Sequence, residues 1–114
     1  MKTKIISVVL AIVFIGSGGA KLAGLEFEIQ AFEKWGYALW FMYFIGTVEV
    51  LGGIGLLIRR TSALAAAGLS LMMVGAVATH VIHSEWGMMV VASVILALAV
   101  WRAIIGRNDI KLSL

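Results

Sequence analysis

Apolar residues fill four long blocks of this chain, about Ile5–Ala23, Tyr37–Ile58, Ser62–Ile82 and Gly87–Ile105, separated by short polar segments. A helix needs roughly 20 apolar residues to cross about 30 Å of hydrocarbon, because every backbone polar group must be satisfied inside the segment. Each block meets that length. The pattern predicts an all-α integral membrane protein with a single domain. The connections at Arg59–Thr61 and His83–Trp86 are short enough to force antiparallel neighbours, so an up-down-up-down four-helix bundle is expected. The Gly24–Gly36 connection is longer. Wound as a helix, it puts Leu25, Ile29 and Phe32 on one side and Glu26, Gln30, Glu33 and Lys34 on the other, as in an amphipathic helix lying flat on a membrane surface.

Composition sharpens this picture. Of the 114 residues 62% are hydrophobic and 13% charged, against roughly 45–50% and 25% in soluble domains, so lipid is the expected solvent. There is no cysteine, which excludes disulfides, thiol redox chemistry and Cys-ligated metal. The net charge of +3 does not point to nucleic acid, because the basic residues form no single patch and sit at the ends of the blocks. Their placement gives an orientation instead. Lys2, Lys4, Arg59, Arg60, Arg102, Arg107 and Lys111 fall on one side and only Lys21 and Lys34 on the other, which by the positive-inside rule puts both termini in the cytoplasm of a cell (inner) membrane. The first block follows a short basic start and resembles a signal peptide. It is too long for a secretory h-region, and we read it as a retained helix.

Helices in lipid associate through small residues that let backbones approach. Gly16 and Ala20 in the first block, Gly46 and Gly53 in the second and Gly75 and Ala76 in the third are the candidate packing positions. Proline is absent, so hard kinks are not expected. Trp35, Tyr37, Trp40, Trp86 and Trp101 fall near block ends, where rings anchor in the headgroup layer.

Lys21, Glu49 and His80 are ionisable groups inside or near the ends of the blocks. An isolated charge at the bilayer centre costs at least about 2.5–3.5 kcal/mol, so each must face the bundle and find a partner. Glu49 lies about twelve residues from one end of its block and nine from the other. Helical side chains lean toward the N-terminus, which aims all three groups at a common depth. At 1.5 Å per residue Lys21 and Glu49 are about 10 Å apart in depth, a gap that two extended side chains can bridge. The plain reading of this interior cluster is a clasp that fixes helix register; the functional one is a site. A metal is not expected, since one span-end histidine with the loop groups His83, Glu85 and Glu28 makes no ligand set. Gly16-Ser17-Gly18-Gly19 lies within an apolar block and is no phosphate loop.

Four segments carry a family resemblance: Gly18-Gly19-Ala20-Lys21-Leu22, Phe32-Glu33-Lys34-Trp35-Gly36-Tyr37, Gly46-Thr47-Val48-Glu49-Val50-Leu51-Gly52-Gly53 and Gly75-Ala76-Val77-Ala78-Thr79-His80. In this order and spacing they resemble the DoxX-like family of small four-helix membrane proteins, in which Lys21, Glu49 and His80 match polar positions of the first three helices. Ala38 stands where that family often has proline. The resemblance implies kinship with subunits of quinone-linked sulfur oxidoreductases, components of oxidative-stress complexes and assembly factors, a range too wide to name one activity.

Three functions are therefore expected in order. The first is an accessory or assembly subunit of a larger, redox-linked membrane complex, packing on other membrane proteins or on itself without catalysis of its own. The second is a binder of a small lipophile such as a quinone, with Glu49 and His80 as hydrogen-bonding groups and Lys21 as electrostatic partner. The third is a proton-coupled small exporter with Glu49 as carrier. No cofactor is demanded by the residues themselves.

Overall fold

Long apolar sequence sets where helices form here, and a left-handed residue turns the chain after three of them. The computed structural model describes residues 2–106. It contains α1 (Lys2–Leu22), α2 (Glu26–Trp35), α3 (Leu39–Leu57), α4 (Ser62–Ile82) and α5 (Trp86–Ile105). The chain reverses after α1 at Gly24, φ 66°, and after α2 at Gly36, φ 80°, a region that a Cβ disfavours. At the second stop the Gly36 N–H donates to Glu33 O and the Tyr37 N–H to Phe32 O, which satisfies carbonyls left over at the helix end. Ser84, φ 56°, makes a similar reversal after α4 without glycine. There the Glu85 N–H reaches back 2.8 Å to His80 O and folds Glu85 over the end of α4.

The four long helices, α1, α3, α4 and α5, form a ring with antiparallel neighbours. α1 packs chiefly along α3 and α4 along α5, and the two pairs join through α3–α4 and α1–α5 contacts. α2 packs on α1 and α3 and covers the end where α1 and α4 finish. All four long helices are long and apolar enough to cross a membrane. Their surfaces are inverted relative to a soluble bundle: Leu71 is 77% exposed and Ile82 74%, while the centre holds Leu10, Phe14, Leu56 and Leu69. Such outward side chains suit acyl chains as their solvent.

α2 forms as an amphipathic helix, but its inner face differs from the expected one. Leu25 precedes the helix as its N-cap and is exposed, as is Phe27. Phe32 is buried and Ile29 half-buried as expected, but Glu28 and Trp35 join them on the inner face, Glu28 because Lys21 draws its carboxylate to itself.

Close approach is concentrated between α1 and α3. A Cβ on Gly18 would lie 2.6 Å from Gly46 O, and one on Gly46 2.8 Å from the Cβ of Lys21. Two turns further along α3, a Cβ on Gly53 would meet Ile15 at 2.6 Å. Gly46 and Gly53 thus sit at backbone contacts, whereas Gly16 and Gly75 do not: a Cβ on either meets nothing within 4 Å. On α1 the close residue is Gly18, because the helix turns Gly16 to the outside and leaves Ala20 at the edge. Ala76 packs partly against the core.

Lys4, Arg59, Arg60 and Arg102 lie at the end of the bundle away from α2, and Lys21 and Lys34 at the α2 end. Arg107 and Lys111, and the side chain of Lys2, lie outside the described residues.

The seam yields a direct comparison. Gly18→Ala must push two backbones apart and is expected to lower stability by about 1–3 kcal/mol. Gly16→Ala meets open space and should stay within about 0.5 kcal/mol, both read from thermal unfolding of the solubilised protein.

Candidate functional site

The ring of helices is not filled at the α2 end. A cavity of about 720 Å³ lies between the long helices there, beneath α2. Small residues make the room. Gly75, Ala76 and Ala92 stand along its wall, so the space beside Gly75 belongs to the cavity and not to a helix contact. Phe14, Ile45, Met72 and Ile95 form the apolar floor and sides. Trp35, Tyr37 and Phe41 form an aromatic group with Phe32 near α2, in edge-on and tilted arrangements with ring centroids 5.2–6.4 Å apart.

Two polar stations face this space. At the first, Lys21 in the last turn of α1 donates to Ser17 Oγ at 2.8 Å, and its Nζ stands 2.8 Å from Glu49 Oε1 and 3.0 Å from Glu28 Oε2. One ammonium therefore faces two carboxylates. Both carboxylates are within ion-pair distance of the one ammonium, and Ser17 also stands within hydrogen-bonding reach of Glu49. Lys21 holds them as a charge at short range, in a setting where charge counts for more than in water. Gly18 and Gly46 permit this meeting. Without a Cβ on either, α1 and α3 approach closely enough for the Lys21 stem to lie against Gly46.

At the second station Glu85 gathers three donors. Its Oε1 accepts from Trp35 Nε1 at 3.0 Å and lies 2.8 Å from His80 Nδ1, and its Oε2 accepts from Lys34 Nζ at 2.8 Å. Lys34 above all, then His80 and Trp35, hold the Glu85 carboxyl down from 4.5 to about 2. An ionised Glu85 fixes a hydrogen of His80 on Nδ1, and among the described residues nothing bonds to Nε2. Beside it, Thr79 donates to Gly75 O at 2.9 Å, so the Tyr37 hydroxyl must be the donor in its 2.8 Å bond to Thr79 Oγ1.

Of the expected trio, Lys21 and Glu49 are in direct contact. His80 bonds to Glu85 and meets the other two only across the cavity. Glu28 and Glu85, considered in the sequence only as loop carboxylates, are each the partner of a buried cation or ring. Trp35 and Tyr37 line the cavity and hold hydrogen bonds there, so anchoring is not their whole role; Trp86 and Trp101 face outward. Among the described residues no group of three or more metal-ligating side chains converges.

A third polar group was missed altogether. At the opposite end Arg102, 3% exposed, donates to Ser7 Oγ at 2.7 Å; Ser7 and Ser62 share a 2.9 Å bond, and Ser62 donates to Leu56 O. The signal available was a serine at each of two helix starts level with an arginine at a helix end. Counting Arg102 as a loop charge concealed it.

The model of the DoxX-like family matches residues 5–101. The chain belongs to the DoxX-like family. Membership and four helices of spanning length make it a multi-pass membrane protein. No curated protein and no solved structure matches it. The departure of this DoxX-like chain at Ala38 leaves the entry to α3 unaltered in kind, since Ala38 takes φ −69°, the angle that a proline ring imposes.

Two outcomes follow from the stations. Lys21→Met strands two buried carboxylates and is expected to cost roughly 3–5 kcal/mol, part of which the double variant Lys21→Met/Glu49→Gln regains in a thermodynamic cycle. The depressed Glu85 pKa means that its contribution is complete above about pH 4.5 and is lost as pH falls toward about 2. Trp35 fluorescence should report α2 loosening across that window in the native chain, and Glu85→Gln should remove that pH step.

Proposed function

We propose that this DoxX-like protein binds a small lipophilic molecule between its long helices, polar head toward Lys21, Glu49, Glu28 and His80, and apolar body along Phe14, Met72 and Ile95. The observation that carries this reading is the 720 Å³ cavity with apolar walls and polar groups at one end. Ligand cavities commonly run about 300–1,000 Å³ and combine apolar linings with a few placed polar groups. A quinone is the lipophile that the family resemblance suggests.

This reading moves ahead of the accessory-subunit role expected from the sequence, because a purely scaffolding bundle has no need of such a space. Partners of the exposed helix faces are compatible with both. The exporter reading is weakened by the packing below the cavity, where Leu10, Phe14, Leu56 and Leu69 are at 1% exposure and the Ser7–Ser62–Arg102 group lies beyond them. A carrier needs access from two sides, and the packing supports one. With both termini cytoplasmic, as the basic residues suggest, α2 and the cavity belong to the outer side of the cell membrane.

The test is mass spectrometry of organic extracts from the purified full chain and from Ala76→Phe, which places a ring in the cavity, with thermal melting as the check on folding. A discrete lipophile near one per chain in the native protein, lost from Ala76→Phe, is the expected result. Identical extracts from two equally folded proteins mean that only annular lipid is bound and end this reading.

A further inference from the structure

The hydrogen atoms lining the cavity are already spoken for. Lys21 has three acceptors within 3.0 Å. The Trp35 N–H and the His80 Nδ1 hydrogen go to Glu85, Tyr37 gives its hydrogen to Thr79, and Thr79 gives its own to Gly75 O. Ser17 has Glu49 beside it. Among the lining side chains that leaves the Trp40 indole, on a ring 68% exposed and therefore at the rim. Acceptors, by contrast, are in surplus. Glu28 and Glu49 together offer more oxygens than Lys21 and Ser17 can fill, Glu49 is only 4% exposed, and no described residue reaches His80 Nε2.

Charge points the same way. With Glu28 and Glu49 both ionised, the inner station sets one ammonium against two carboxylates, an excess of one negative charge at a depth where counter-ions from water do not follow. Next to it stands the aromatic group of Phe32, Trp35, Tyr37 and Phe41, whose ring faces attract cations within about 6 Å. A ligand that offers only acceptors, such as an oxidised quinone, finds no free side-chain donor inside. A ligand that brings hydrogens and a positive charge finds unmatched carboxylate oxygens and π faces together.

Building on the lipophile site proposed above, we infer that its ligand is an organic ammonium: a protonated amine on an apolar body, the nitrogen placed between Glu49, Glu28 and the aromatic group. The carboxylates, through their acceptor capacity and their charge, and the ring faces beside them both select for it.

The inference is tested by calorimetric titration of the full chain in phosphatidylglycerol nanodiscs, with empty discs as reference, using 4-phenylbutylamine, 4-phenylbutanol and decylubiquinone. The amine is expected to bind at least about tenfold tighter than the alcohol of matching shape. In Glu49→Gln that ratio should fall to within about threefold. Glu28→Gln, closer to the mouth and easier to tolerate, should act in the same direction and serves if Glu49→Gln does not fold. A native ratio near one, or a ratio that survives both substitutions, overturns the ammonium inference. Where the alcohol or the quinone binds as well as the amine, the lipophile site stands and only its charge selectivity falls; where none of the three binds, both fall. Replacing half of the lipid by phosphatidylethanolamine separates two sources of the same chemistry. Weaker amine binding assigns the site to a lipid headgroup ammonium, unchanged binding to a free amine, and the ligand class holds in either case.

Discussion

A lysine ammonium placed among two carboxylates and a hydroxyl, inside a bundle whose outside is hydrocarbon, governs the α2 half of this molecule. Bringing Lys21 and Glu49 to 2.8 Å requires α1 and α3 to approach at their backbones, and Gly18 and Gly46 allow it. Once that contact exists, Glu28 is drawn inward and fixes which face α2 presents. The helix cannot then roll to bury Leu25 and Phe27, which are left outside. The cavity is what remains where the tight α1–α3 pair meets α4 and α5 across small residues.

Glu85 closes the structure from the other side. It belongs to the turn after α4, yet two of its three donors come from α2. A single carboxylate thus ties the covering helix to the far wall and orients His80 at the same time. The left-handed Ser84 makes this reach feasible by folding the turn back over α4. Strain accepted at one residue is repaid by three charge-assisted bonds at the next.

Much of the fold was legible because hydrocarbon imposes length and continuity on a sequence. Four uninterrupted apolar stretches leave little choice of architecture, and the two short connections set the direction of the helices. The Lys21–Glu49 contact was legible for a related reason: two charges deep in apolar segments have few other ways to be tolerated. His80 was read into the same cluster because lean and depth can be counted along a helix but rotation around the ring cannot. Gly16 and Gly75 were misassigned on the same account, since spacing along one helix does not say which side faces a neighbour. Glu28, Glu85 and Arg102 escaped notice because a charge near a segment end looks solvated in one dimension. Whether it is buried depends on which turn arrives beside it from elsewhere in the chain.

The bundle consists of two firmly packed pairs, α1 with α3 and α4 with α5, joined along a lesser boundary. The hollow lies on that boundary. Parting the pairs sideways leaves the glycine crossing and the lysine–glutamate contact intact, because both lie within one pair. For a ligand of the proposed site already dissolved among the acyl chains, this boundary is a lateral route to the carboxylates. Opening it at the α2 end means breaking the Glu85 and Tyr37–Thr79 bonds that bridge the pairs.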